Sequence, residues 1–373
     1  MKYYIIAGEA SGDLHGSNLI REMKKLDPAI SVRCWGGDKM QAAGGELVKH
    51  YRELAFMGFT EVLMNLRTIF RNLAFCKEDI TQYQPDALIL IDYPGFNLRI
   101  AKWAKKQGLK VIYYISPQVW AWKEGRVRMM KECIDKMIVI LPFEKDYFKI
   151  KWNWEVEYVG HPLVDVVDSQ QSRVRSQERR YSDKPVVALL PGSRKQEILK
   201  KLPVMLETSR SFPGYQFVVA KAPGLDESFY DELLRPFENV SYVSGQTYEL
   251  LMQADAAIVT SGTATLETAL FGVPEVVCYK GSPISYQIAK RVIKVKYISL
   301  VNLIMDRLVV KELIQDALTP ENLKTELDEL LHNASRRAQL KSDYTELKSK
   351  LSQQGSASAK AANSIVKFIS GDD

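Results

Sequence analysis

Short, almost wholly apolar runs recur along this chain. Between them lie longer stretches in which apolar positions return every three or four residues. The runs at 3–7, 31–35, 87–91, 111–115 and 137–140 read as strands, and 14–26 and 98–107 read as helices between them. Strands that are apolar at every position, rather than at alternate ones, are buried on both faces, as in a parallel sheet covered by helices. Residues 168–185 break this rhythm: they carry Ser, Gln and Arg with few large apolar side chains and read as a linker. The rhythm resumes at 186–190 and continues at 217–220, 256–260 and 275–279. From Pro320 onward the pattern is helical and polar, ending at 357–369. No internal repeat is visible, yet both halves share one architecture. The expected organisation is two doubly wound α/β domains, 1–167 and 186–340, with a helical tail, 341–373, packing back on the N-terminal domain. A cleft would lie between the two, with ligands at the carboxyl ends of the strands.

Composition narrows this only a little. A length of 373 residues exceeds one α/β core of ordinary size, in keeping with two domains. Hydrophobic content of 46% and charged content of 26% are those of a folded globular chain. A net charge of +6 suits nucleic acid, an anionic substrate or an anionic membrane surface alike. Cys34, Cys76, Cys133 and Cys278 are scattered with no C-x-x-C pair, which argues against a zinc or thioredoxin-like motif and suits a reducing cytoplasm. The apolar N-terminal stretch is too short for a signal peptide core. No run reaches the roughly 18 apolar residues of a membrane span.

Two strand ends carry the clearest chemistry. Pro191-Gly192-Ser193-Arg194 follows the run 186–190, and Ser261-Gly262-Thr263-Ala264-Thr265-Leu266-Glu267 follows 256–260. Each puts a glycine, small hydroxyl side chains and free backbone N–H groups where a strand hands over to a helix, a setting that holds a diphosphate. Arg194 adds a cation, and the pair points to a nucleotide site in the second half. In the first half, Gly8-Glu9-Ala10-Ser11-Gly12-Asp13-Leu14-His15 reads either as a substrate-facing loop or as a tight turn capped by Ser11 or Asp13. It lacks G-x-G-x-x-G, which lowers a dehydrogenase reading. Asp92, in Ile91-Asp92-Tyr93-Pro94-Gly95-Phe96-Asn97, ends a very apolar run. Partial desolvation there favours a raised pKa and general-base work; the plainer reading is a capping Asp in a Pro-Gly turn.

Other segments stay open between two readings. Trp120 and Trp122, after Ser116-Pro117-Gln118-Val119, suit a wall for a sugar or serve as core or interface aromatics. His161 in Gly160-His161-Pro162 reads as a structural turn residue. Segment 54–76 contains Phe56, Met57, Val62, Met64, Leu66 and Phe70, with Arg67 and Arg71 interleaved. It reads as a buried helix with snorkelling arginines or as a surface that takes up acyl chains or lies on a bilayer. Residues 149–154 and 288–297 mix bases and apolar groups in the same way. No standard nucleic-acid motif accompanies these bases.

In this order the motifs resemble the lipid-A-disaccharide synthase family of inverting GT-B glycosyltransferases. The resemblance starts at Gly8-Glu9-Ala10-Ser11-Gly12-Asp13 and takes in Leu54-Ala55-Phe56-Met57-Gly58, the Asp92 loop and Ser116-Pro117-Gln118-Val119-Trp120-Ala121-Trp122. It continues through Leu141-Pro142-Phe143-Glu144, Gly160-His161-Pro162 and both glycine turns to Asn302-Leu303-Ile304 and Lys311-Glu312-Leu313. Each motif is weak alone; the joint order, over nearly the whole chain, is specific. The resemblance implies two Rossmann-like domains facing across a cleft. It implies transfer of 2,3-diacylglucosamine from its UDP conjugate to 2,3-diacylglucosamine 1-phosphate (lipid X), with a β-1,6 linkage and release of UDP. It implies no cofactor, no metal held by an Asp-x-Asp pair and no nucleic-acid partner. It also implies a cytoplasmic, peripheral place at the inner face of the bacterial inner membrane, and a capacity to form a homodimer by exchange of C-terminal segments, with monomer and swapped dimer both left open.

The resemblance also suggests roles. Asp92 would be the base for the acceptor 6-hydroxyl, with Glu9 and Asp13 as alternates and Ser11 and Gly12 beside the substrate. Arg194, with Gly192 and Ser193, and Ser261, Gly262, Thr263, Ala264 and Thr265 would take the diphosphate. Glu267 would accept from the ribose hydroxyls, and Asn302 would lie near the donor or the diphosphate. This chain has Gly95 where the family often has a second acid, and Val301 where a Pro often precedes the Asn. The nearest rivals are other UDP-N-acetylglucosamine enzymes of this fold, a 2-epimerase or the transferase that forms lipid II. A rival of a different class is a membrane-surface binding protein that has kept a dead nucleotide site.

Overall fold

The computed structural model describes residues 1–373 other than 55–65, 174–180, 223, 283–285, 287–294, 353–354 and 372–373. The chain divides into two compact units, Met1–Asp165 with Leu351–Asp373, and Val166–Lys350. The polar stretch that begins at residue 168 starts inside a helix, Pro162–Arg173.

The first unit holds seven parallel strands: β1 (Lys2–Ala7), β2 (Ser31–Gly36), β3 (Glu46–His50), β4 (Ala87–Ile91), β5 (Lys110–Tyr114), β6 (Lys136–Val139) and β7 (Glu157–Tyr158). Their order is β3-β2-β1-β4-β5-β6-β7. Strand β4 is buried at every position, as its unbroken Ala-Leu-Ile-Leu-Ile requires. The strand order reverses beside β1 and β4, which opens a crevice at their carboxyl ends. The register pairs Ala7 with Ile91, so Gly8 and Asp92 follow side by side. The C-terminal helix Ala357–Ser370 belongs to this unit and packs on the helix Ala10–Leu26. The Ser356 hydroxyl anchors its start by donating to Asp165 over 2.7 Å.

The second unit holds six parallel strands: β8 (Val186–Leu190), β9 (Gln216–Lys221), β10 (Val240–Ser244), β11 (Ala256–Thr260), β12 (Glu275–Tyr279) and β13 (Lys311–Ile314). Their order, β10-β9-β8-β11-β12-β13, reverses between β8 and β11. Val259 pairs with Leu190, which sets the two glycine turns next to each other.

The apolar runs marked the inner strands. Strands β3, β7, β10 and β13 are absent from that reading. All four lie at sheet edges and all are mixed in polarity, for example Glu-Leu-Val-Lys-His in β3. An edge strand has one covered flank and needs no continuous apolar run.

Candidate active site

In the first unit the chemistry gathers at the carboxyl ends of β1, β4, β5 and β6. Asp92 and Tyr93 both have left-handed backbones, with φ of 46° and 48°. For non-glycine residues this costs of order 1–3 kcal/mol each. The turn is held by its own carbonyl: the Asn97 amide donates to Asp92 O over 2.8 Å, and the Tyr113 hydroxyl donates to the same oxygen. Asn97 also reaches Ile6 O and Ile91 O, tying the turn to both strands. Gly8 is required beneath it, because a Cβ there would lie 2.3 Å from the Tyr93 ring. The result is a partly buried Asp92 carboxyl at the crevice. Burial first, then repulsion by Glu9, pushes its pKa up to about 7, against a bond from the Tyr93 N–H that lowers it.

A third carboxyl belongs to this group. Glu144, fully enclosed after β6, accepts from Leu141 N at 3.0 Å and from Trp120 Nε1 at 3.2 Å. Burial pushes it up to about 7; those bonds oppose the rise and Asp92 adds to it. Trp120 therefore turns inward, edge-on to Phe143, whereas Trp122 is 43% exposed. The two tryptophans do not form one wall.

The other residues of the first loop have different partners. The helix Ala10–Leu26 starts at Ala10 with Glu9 as its N-cap residue, so neither Ser11 nor Asp13 caps it; both lie within its first turns, as does the buried Gly12. Asp13 is buried, and its carboxylate accepts from Gly37 N at 2.8 Å, Met40 N at 3.0 Å and Lys39 N at 3.2 Å. It thereby satisfies the N-terminus of the short helix Asp38–Ala42, which corrects its place among the candidate bases. His15 and His161 are buried and pushed down to about 4 and about 3, chiefly by burial. His161 Nδ1 accepts from Leu163 N and so closes a helix start.

Of the apolar segment, Phe56, Met57, Val62 and Met64 lie outside the described residues, as does the Leu66 side chain. The helix Leu66–Tyr83 buries Leu73, Cys76 and Ile80 and exposes Arg67, Phe70, Arg71 and Phe75, with Phe70 63% exposed. Its outer face is thus both aromatic and basic. In the second such stretch, Lys149 and Lys151 pair with Glu155 and Glu124. Most of 288–297 lies outside the described residues.

In the second unit the two glycine turns enclose a cavity of about 320 Å³. Gly192 and Gly262 have φ of 113° and 146°, conformations that favour glycine. Gly192, Ser193, Ser261, Gly262, Thr263 and Ala264 line the cavity, as does Glu267, which accepts from the Tyr248 hydroxyl at 2.7 Å. The helices Lys195–Ser209 and Thr263–Leu270 start at this wall and aim their N-termini at it. Thr265 is buried, and its hydroxyl donates to Gly262 O at 2.9 Å, which stiffens the turn. The Arg194 side chain is 55% exposed and sits 3.4 Å from Glu197 without lining the cavity. Lys221, at the end of β9, supplies the lining cation.

Asn302 corrects the expectation of a ligand contact. It is fully buried; its Nδ2 donates to Val310 O and Glu312, and its Oδ1 accepts from Val309 N and Val310 N. All four bonds of the amide are used inside the fold.

A family model described as lipid-A-disaccharide synthetase matches residues 3–367. The chain belongs to the lipid-A-disaccharide synthase family. A lipid-A-disaccharide synthase of Syntrophus aciditrophicus is 41% identical over 376 residues, covering 99% of this chain and 98% of the relative. One of Geobacter metallireducens is 40% identical, covering 98% and 96%. Among solved structures, an S. aureus MnaA–UDP complex superimposes with a TM-score of 0.73 at 11% identity, covering 99% of this chain and 97% of that one. The UDP-GlcNAc 2-epimerase of Neisseria meningitidis bound to UDP-GlcNAc gives 0.64 at 13%, covering 98% and 100%. The glycotransferase of kitacinnamycin gives 0.67 at 15%, covering 98% of each. These likenesses show the fold, that of GT-B glycosyltransferases and epimerases.

Within this family fold, Glu144, Glu197, Lys221 and Thr247 are the site residues that the sequence reading missed. Glu144 stood inside a quoted motif with no role attached. Lys221 ends β9 and Thr247 follows β10, so the strand-end rule was the signal that would have found them.

Proposed function

We propose that this glycosyltransferase moves 2,3-diacylglucosamine from UDP-2,3-diacylglucosamine to the 6-hydroxyl of 2,3-diacylglucosamine 1-phosphate, forming a β-1,6 linkage and releasing UDP. Family membership along the whole chain supports the substrates. One observation carries the chemistry: a carboxyl poised near neutrality, Asp92, on a strained turn at the switch point of its sheet. Asp92 takes the proton of the acceptor 6-hydroxyl as its oxygen bonds to the donor C1. The C1–O bond to UDP breaks, and the electron pair leaves with the diphosphate. The helix N-termini at Ser193 and Thr263, with Lys221, stabilise the charge that develops there. Arg194 reaches the same diphosphate from the rim. Glu267 receives the ribose hydroxyls, and Glu9 keeps Asp92 basic enough to act.

The acyl chains need an apolar surface, and the outward face of the helix Leu66–Tyr83 meets that need with Phe70 and Phe75 among Arg67 and Arg71. Aromatic and basic side chains together suit the inner leaflet of the inner membrane. Among the described residues no helix is long and apolar enough to cross a membrane, so we place the chain at that surface as a peripheral protein. A homodimer would form if two copies exchanged the helix Ala357–Ser370.

The test is UDP release from UDP-2,3-diacylglucosamine in detergent micelles, with and without 2,3-diacylglucosamine 1-phosphate. Release that depends on the acceptor, with a disaccharide 1-phosphate in the mass spectrum, supports the reading. Turnover of UDP-N-acetylglucosamine without any lipid would replace it with an epimerase.

A further inference from the structure

The loop after β5 carries a cluster of positive charge that the chemistry above does not use. Lys123 Nζ stands 4.2 Å over the centroid of the exposed Trp122 ring, and Arg126 Cζ lies 5.9 Å from the same centroid. Arg99, on the helix Pro94–Lys106 that begins just after Asp92, adds a third cation and donates to Gly95 O. Among the described residues, none of the three forms an ion pair with a carboxylate. The carboxylate nearest in sequence, Glu124, is occupied by Lys151 and the Tyr147 hydroxyl. Repulsion inside the cluster is visible in its titration: burial and then Arg126 lower the Lys123 pKa, and burial and then Arg99 lower that of Arg126.

Concentrated like charge with no counter-charge is costly unless a ligand supplies one. Lys123 also has a left-handed backbone, with φ of 56°, in a loop pinned by bonds from Ala121 N to Gln118 O and from Arg126 N to Lys123 O. The loop joins this cluster to the carboxyl group. Trp120, two residues before Trp122, donates to Glu144, and Tyr113, whose hydroxyl holds the Asp92 turn, feels the charge of Arg126. The cations therefore lie on the Asp92 side of the first unit.

We infer that Lys123 and Arg126 beside Trp122, with Arg99 close enough to Arg126 to repel it, form a subsite for the phosphate monoester of the acceptor. The inference rests on the function proposed above. A 2,3-diacylglucosamine 1-phosphate carries its phosphate at one end of the sugar and its 6-hydroxyl at the other. Asp92 addresses the hydroxyl and the cluster addresses the phosphate. Guanidinium forks match phosphate oxygens two at a time, and the Trp122 face offers a platform for the sugar. Selection for a phosphorylated acceptor would thus be built into the first unit.

The experiment compares 2,3-diacylglucosamine 1-phosphate with its dephosphorylated counterpart as acceptors for the full chain in neutral detergent micelles. Wild type and a Lys123→Gln/Arg126→Gln double variant are assayed with the same UDP donor. The wild type is expected to prefer the phosphorylated acceptor. In the variant, its KM should rise by about 10-fold or more, with the donor KM and the kcat at saturating acceptor unchanged. The variant should use the dephosphorylated acceptor as well as wild type does, which separates this result from misfolding. An equal preference ratio in variant and wild type overturns the subsite. So does an unchanged ratio combined with lost binding to phosphatidylglycerol vesicles, which would make the cluster a lipid-headgroup contact. Failure of the wild type to form any disaccharide would instead sink the proposed function.

Discussion

Asp92→Asn keeps the shape of the side chain and removes both its charge and its basicity. In the wild type, burial foremost and Glu9 second raise this carboxyl from 3.8 to about 7. A folded-state value above the unfolded one means that the folded chain holds the proton more tightly. The stability this group contributes is therefore full below 3.8, declines as pH rises, and is lost above about 7. At roughly 1.4 kcal/mol per tenfold change in proton affinity, the ionised form costs the fold about 4 kcal/mol at high pH. Asp92 is partly open to solvent, which screens it, so a measurable gain of about 1–3 kcal/mol is expected from the neutral variant. Asp92→Asn should thus melt higher than wild type, by a margin that grows between about pH 4 and pH 7 and is level above that. Its kcat should fall by about 10²–10⁴, the usual worth of a general base. Circular-dichroism melts across that range, alongside acceptor-dependent UDP release, check both parts. The wild-type rate should climb through about pH 7 as Asp92 loses its proton. Wild-type kcat in the variant would refute the base assignment. A melting difference that ignores pH would refute the electrostatic reasoning.

Gly8→Ala forces a Cβ to 2.3 Å from the Tyr93 ring, which must move and take the Asp92 turn with it. A loss of about 1–3 kcal/mol in urea unfolding is expected, together with a lower kcat. Asn302→Ala strands both backbone groups of Val310 and removes one of the bonds to Val309 N–H and to Glu312. It should cost about 3 kcal/mol in thermal unfolding while calorimetry finds unchanged UDP affinity in the protein that remains folded.

The contrast between Arg194 and Asn302 shows how far polar motifs can be read. Both stood in motifs that pointed to the diphosphate. Arg194 follows the lining Ser193, stays exposed and sits 3.4 Å from Glu197, which also lines the cavity, whereas Asn302 spends its whole amide on the segment 309–312. Nothing local distinguishes a side chain aimed at a ligand from one aimed at a backbone carbonyl. Asp13 repeats the lesson: its three partners lie 24 to 27 positions away, at Gly37, Lys39 and Met40.

The sequence by itself determined the inner strands, the two glycine turns and the position of Asp92 at a strand end. Complete burial of a strand demands an unbroken apolar run, and a tight turn into a helix demands glycine, so both leave a local trace. Tertiary structure alone decided the rest. It set Glu144 against Asp92 and Trp120, laid Tyr93 over Gly8, turned Asp13 to its helix cap and brought Arg99 up to Arg126, which shares one ring with Lys123. These are meetings of residues distant in the chain, and the register of a parallel sheet, which no single segment encodes, brings them together.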